Sequence, residues 1–238
     1  GRRNEVLALW DRFTADGAVL EDLYAKGHMR RPIYENWRRH LSMSREAFAA
    51  WLVTRVPDQR VTQPKGWLSP RGDPLLDPVA GLSWYEALAY CRWLAAQTGQ
   101  PFRLPIEVEI EAACRRMPAN QERYDRHGMP LHNVSWAHLG AKSPIGVFPA
   151  GDTADGLADM MGNIMTWTST AWGSAPDDSE WPYPYDPTDG REALDAPPER
   201  LRLIRGSFFG GELCVWERHC TPPGFREMSV GFRLARSN

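Results

Sequence analysis

The sequence predicts an α+β fold with few helices, a short twisted antiparallel sheet and many long loops. Three observations predict it. Apolar stripes at helical spacing begin just after Ser44, Ser83 and Pro105, each a helix-starting signal. Two runs near the end of the chain, Leu201/Leu203 and Val230/Phe232/Leu234, alternate with period two. Much of what lies between is rich in Pro, Gly and Asp and holds no period for long. The 238 residues suffice for one large domain or two small ones, and 42% apolar against 24% charged content supports an ordinary buried core. A net charge of −2 without a long basic run argues against a nucleic-acid partner. No apolar stretch approaches the roughly 20 residues of a membrane span. There is no signal peptide, and a chain opening on Gly1 is consistent with a piece of a longer multidomain protein, so localisation stays open.

Taken in order, residues 4–13 place Val6, Leu9, Trp10 and Phe13 on one helical face, and Leu20, Leu23 and Tyr24 repeat the pattern after Gly17. Residues 1–40 read as a helical N-terminal extension and 41–238 as the main domain. Ser44 caps a helix over 45–54 that carries Phe48, Trp51 and Leu52 and stops at Pro57; residues 57–81 form a surface loop. Ser83 and Glu86 form a capping box for a helix over 83–98, with Trp84, Ala87, Leu88, Cys91, Leu94 and Ala95 inward and Gly99 as its stop. A third helix, 105–116, buries Ile106, Ile110, Ala113 and Cys114. Glu107, Glu109 and Glu111 recur at spacing two and cannot share one helical face, which makes them solvated or structurally paired rather than catalytic.

Beyond Met117 regular patterning fades. His127, His132 and His138 have spacings that match no common zinc pattern. Asn133-Val-Ser135 is a glycosylation sequon without a secretory context. Cys91 and Cys114 sit on apolar helix faces as small hydrophobes. Residues 173–200 form a long connection whose Trp181–Tyr185 stretch predicts an ordered, packed loop walling one side of the closing segment's surface.

That closing segment interleaves Trp216, Glu217, Arg218, His219 and Phe225 on irregular backbone, the composition of a recognition surface. Its flanks, R-L-I-R-G-S-F-F (202–209) and P-P-G-F-R-x-x-x-V-G-F-R-L (222–234), resemble the last segment of the formylglycine-generating-enzyme-like, or sulfatase-modifying-factor, domain family. Upstream, G-L-S-W-Y-E-A-L-A-Y-C-R-W-L (81–94), R-L-P-I-E-V-E-I-E-A-A (103–113) and G-L-A-D-M-M-G-N-I-M-T-W-T (156–168) match the family in order. The resemblance implies a C-type-lectin-like fold. It also implies a calcium site at the side chain of Asp159, the carbonyls of Gly162 and Ile164, and the position of Thr166. There Thr166 replaces a glutamate and Met165 a tryptophan, leaving one carboxylate where calcium wants several anionic oxygens.

Family members include oxidases, sulfoxide synthases and proteins that only bind. The formylglycine-generating enzyme holds copper through two cysteines, as copper(I) chemistry requires. Here the first position falls on Gly210 or Gly211 and Cys214 lies near the second, with Cys220 six residues further on; copper is therefore not expected. The sulfoxide synthases take iron from a separate three-histidine domain, and residues 1–40 offer only His28 and His40. Arg218, Pro223, Arg226 and Gly231-Phe-Arg233 match the fixed anchors of retroelement-diversified variable proteins. Trp216, Glu217, Glu227 and Met228 cannot arise by adenine mutagenesis of asparagine codons, which argues for a fixed surface. The sequence thus favours a module that binds a protein or small-molecule ligand without cofactor or catalysis, through Phe208, Trp216, Glu217, His219, Phe225, Glu227 and Met228. A copper- or non-heme-iron-dependent oxidase is the alternative.

Overall fold

The computed structural model of the chain describes residues 2–55, 62–67, 75–117, 123–212 and 216–237. Pro57, Cys214 and parts of the expected 57–81 loop lie outside these residues. The chain divides into two compact units, Gly1–Thr62 and Gln63–Asn238.

The first unit contains four helices: α1 (Arg2–Ala15), α2 (Gly17–Ala25), α3 (Arg31–Leu41) and α4 (Arg45–Arg55). Asp16 caps α2 by accepting from the Ala18 amide, and Ser44 caps α4 by accepting from Ala47 at 3.1 Å. The core joins Trp10 to Phe48 and Leu52; the Trp10 ring stacks on Phe48 at 5.8 Å, and its indole N–H donates to the His40 carbonyl. The helix that the sequence assigns to the main domain beside the sheet therefore belongs with the N-terminal helices. Its apolar stripe is consumed by Trp10, and the division falls after Thr62 instead of at 40/41.

The second unit runs α5 (Trp84–Thr98), β1 (Phe102–Arg103), α6 (Glu107–Cys114), β2 (Met165–Gly173), β3 (Leu201–Arg205), β4 (Arg218–Thr221), β5 (Val230–Phe232) and β6 (Ala235–Arg236). The Ser83/Glu86 capping box is formed, and Gly99 closes α5 at φ 66°, where a side chain would be strained. The main sheet has the order β4-β3-β2-β5. β3 is antiparallel to both β2 and β4, whereas β5 runs parallel to β2. β1 and β6 make a separate antiparallel ladder.

One sequence expectation is corrected here: the sheet is mixed rather than wholly antiparallel. The 201–205 and 230–232 strands do not pair, because β2 lies between them. Alternation marks where a strand is, not which neighbour it takes. β2 holds the centre because nearly all of it is buried, and its hydroxyls find internal acceptors, as Thr168 does on the Leu203 carbonyl at 2.8 Å. The core beneath joins Trp84, Leu88, Cys91 and Leu104 to Trp167, Ile204 and Val230. The two tryptophans tie α5 to β2: Trp84 donates to the Thr168 carbonyl at 2.8 Å, and Trp167 to that of Leu82 at 3.1 Å.

Candidate functional site

Helix α6 organises the site. Glu109 points away, where Arg103 holds it at 2.6 and 2.7 Å and it accepts from the Ile106 amide. Glu107 and Glu111, four residues apart, share the opposite face. Glu107 is fully buried and accepts from Arg218 Nε and Nη2 at 2.8 and 2.9 Å, and from Arg191 Nη1 at 3.4 Å. Arg191 is itself clamped by Asp189 at 2.6 Å, and the Arg218 guanidinium lies 5.0 and 5.2 Å from the Trp172 and Tyr183 rings. The 173–200 connection is thereby sewn onto α6 and β4.

One turn on, Glu111 accepts from the Tyr183 hydroxyl at 2.6 Å, Arg115 Nη2 at 2.7 Å and Arg205 Nη2 at 2.9 Å. Burial works to raise its carboxyl, but the hydrogen bonds from Tyr183 and Arg115 and the charge of Arg205 outweigh this and hold it below the ordinary range. Tyr183 is pushed up to about 12 by burial and by Glu111, which keeps it a donor. Arg205, 2% exposed, also donates to the carbonyls of Trp216 and Glu217. The Arg115 guanidinium lies 4.8 Å from the centroid of the Trp216 ring. Tyr183, Glu111, Arg115 and Trp216 therefore form one contiguous face, with Trp216 53% and Tyr183 46% exposed over a floor of buried ion pairs.

The seven residues expected to form one patch have three sets of neighbours. Trp216 belongs to the Glu111 face; Glu217 lends that face its carbonyl, which accepts from Arg205, while its carboxylate lies 3.5 Å from His219 Nε2. Phe225, Glu227 and Met228 lie against a different part of the unit. Met228 covers Gly66, Glu227 reaches Lys65 at 4.0 Å and takes the Gly81 amide on its carbonyl, and Phe225 is exposed beside them in sequence. Phe208 packs edge-on against Phe209 and over Gly210 and Gly211, and the Phe209 amide donates to Asn163. The three arginines of the segment turn inward: Arg218 to Glu107, Arg226 to Glu86, and Arg233 to the carbonyls of Ala158 and Asp159. Arg115, Tyr183, Arg191 and Arg205 were not singled out from the sequence. The available signals were the i,i+4 relations of Glu107 to Glu111 and of Glu111 to Arg115.

Of the expected calcium donors only Asp159 carries a carboxylate. Burial raises this carboxyl, and its Oδ2 already accepts from the Gly146 amide and Asn163 Nδ2 at 3.4 and 3.3 Å. Its carbonyl and that of Ala158 accept from the Arg233 guanidinium. Thr166 is buried within the β2 ladder opposite Arg205 and Gly231. Among the described residues no three His, Cys, Asp or Glu side chains gather at one point. His132 is buried and pushed down to about 4, and Cys91 and Cys114 are pushed up to about 11 by burial, the setting of inert thiols. Cys220 sits half-buried on β4, its Sγ 3.6 Å from the Pro176 carbonyl.

This architecture is the formylglycine-generating-enzyme variant of the C-type lectin fold. The model of the sulfatase-modifying factor enzyme 1-like domain matches residues 24–238, and the chain belongs to that family. It is 37% identical over 171 residues to the hercynine oxygenase of Mycobacterium tuberculosis, covering 68% of this chain and 37% of that protein. It is 30% identical over 135 residues to the inactive C-alpha-formylglycine-generating enzyme 2 of Mus musculus, covering 52% of this chain and 42% of that one. The chain thus spans well under half the length of these curated relatives. Among solved structures, variable protein 1 of Treponema denticola superposes with a TM-score of 0.50 at 18% identity, over 70% of this chain and 73% of that one, a likeness of fold alone.

Proposed function

We propose that the second unit is a recognition module, binding its ligand on the face built over Glu111 with Trp216 and Tyr183 as anchors and performing no chemistry there. One observation carries this reading: Trp216 is half exposed, yet Arg205 fixes its backbone and Arg115 fixes its ring before any ligand arrives. A large aromatic held rigid in advance loses little entropy on binding, and Trp, Tyr and Arg are the residues in which binding energy concentrates. The glycines at 210 and 211 agree with it, since neither carries the thiol that copper would need. One mouse relative is named as an inactive formylglycine-generating enzyme.

The second reading is a metal-dependent oxidase of the formylglycine-generating or sulfoxide-synthase type, favoured by the identity to hercynine oxygenase. Under it, the same face would hold the substrate while the metal is bound by residues other than those described. Panning a phage-displayed peptide library on the immobilised protein tests the first reading. Enrichment should be lost in Trp216→Ala while that variant melts with the parent. Oxygen consumption with a thiol peptide and added copper or iron, abolished in Cys214→Ser, would instead establish the oxidase.

A further inference from the structure

We infer that the Glu111 face recognises a carboxylate of a polypeptide partner, the anion lying across Arg115 and the edge of Trp216; this rests on the recognition reading above. The charge count at this face is uneven. Among the described residues Arg115 and Arg205 share the carboxylate of Glu111, leaving one positive charge in excess among the groups bonded to it, while the Glu217 carboxylate lies apart against His219. The excess falls at the open end, because Arg205 is sealed and Arg115 has 61% of its side chain exposed.

Donors point the same way. Arg115 spends only Nη2 on Glu111, and among the described residues its Nε and Nη1, like the indole N–H of Trp216, have no acceptor. A guanidinium held in plane by one carboxylate presents its remaining edge as a preset fork for a second. Trp216 beside it offers an apolar surface to the residue bearing that carboxylate. The face is open, a platform flanked by two half-exposed aromatics, which suits a segment of chain laid across it. The occupant is an acidic stretch of another protein, its Asp or Glu on Arg115 and a neighbouring apolar side chain on Trp216.

The same panning decides the inference separately from the reading it rests on. Enriched peptides should be rich in Asp and Glu next to an apolar residue. A fluorescein-labelled peptide of that consensus should bind roughly tenfold or more weakly to Arg115→Gln, and to an intermediate degree to Arg115→Lys. Its Gln/Asn twin should bind the parent as weakly, and high salt should erase the difference. Arg115→Gln leaves Glu111 with Tyr183 and Arg205, so an unchanged melting temperature is expected and checks the fold. Peptides that need Trp216 but show no acidic bias would overturn the inference and leave the recognition surface standing. Free N-acetylglutamate competing as well as the peptide would overturn the polypeptide assignment, and no enrichment at all would overturn both.

Discussion

Glu107 and Glu111 lie one turn apart on α6 and each takes two arginines, yet their surroundings differ in two respects. Around Glu107 the count is balanced, since Asp189 adds a second carboxylate for Arg191 and Arg218, and the cluster is closed by Trp172, Tyr183 and the 173–200 connection. Around Glu111 two arginines share one carboxylate and the cluster opens to solvent beside Trp216. Sealed and neutral, an ion-pair cluster holds loops to a helix; open and unbalanced, it leaves charge and donors for a partner. The same residue types serve as scaffold or as surface according to what covers them.

The largest expected effect lies on the sealed side. Glu107→Ala leaves Arg218 without its carboxylate, and Arg191 with Asp189 alone, and should cost about 3–5 kcal/mol in denaturant unfolding. A loss no greater than that of an exposed substitution would mean that the cluster is not closed. Glu111→Gln should cost less, about 1–3 kcal/mol, since its neighbours can turn toward water. Because the folded-state carboxyl of Glu111 is held low, its contribution is present above the ordinary carboxylate value of about 4.3 and lost as pH falls below it. Glu111→Gln should therefore be less acid-sensitive than the parent; parallel pH–stability curves would refute that assignment.

Trp216→Ala should change stability by no more than about 0.5 kcal/mol, as its ring is exposed, while binding is lost. A melting point far below the parent's would place that ring in the core and erase the contrast between the two clusters. The smallest effect concerns Asp159. Adding calcium or chelator should leave the melting temperature unmoved, because this is the one carboxylate among the expected donors and calcium wants several anionic oxygens. A rise with calcium would show a bound ion, since a ligand of the native state alone stabilises it.

The helices of the second unit and their caps were legible because Ser83, Glu86, Gly99 and Pro105 act through near neighbours in sequence. The affiliation of α4 was not, since whether Phe48 meets Trp10 or the sheet is decided by distant residues. Trp216, Glu217 and His219 were legible as surface from their mixture of ring and charge on irregular backbone. Arg115 and Tyr183 were not: one looks like an ordinary basic residue after a helix, the other like one ring in a proline-rich loop. Arg115 meets Glu111 through i,i+4 spacing, but only folding brings Tyr183 there, from 72 residues away. Phe225, Glu227 and Met228 are close to Trp216 in sequence, but Glu227 and Met228 take neighbours at Lys65 and Gly66, because nearness along the chain does not survive the turn after β4.

The pairing of β5 with β2 and of β6 with β1 has a consequence for synthesis. Residues 235–236 close a ladder whose other strand, 102–103, leaves the ribosome more than a hundred residues earlier. Until residues 230–232 follow, β2 waits with one edge unpaired and its parallel partner missing. Such late, distant closures fold slowly and leave sticky intermediates, so nascent chains of this unit should depend on chaperones until residue 236 has emerged. A reporter fused immediately after that point would see folding as a single late event, whereas the helical unit ahead of it could already be complete.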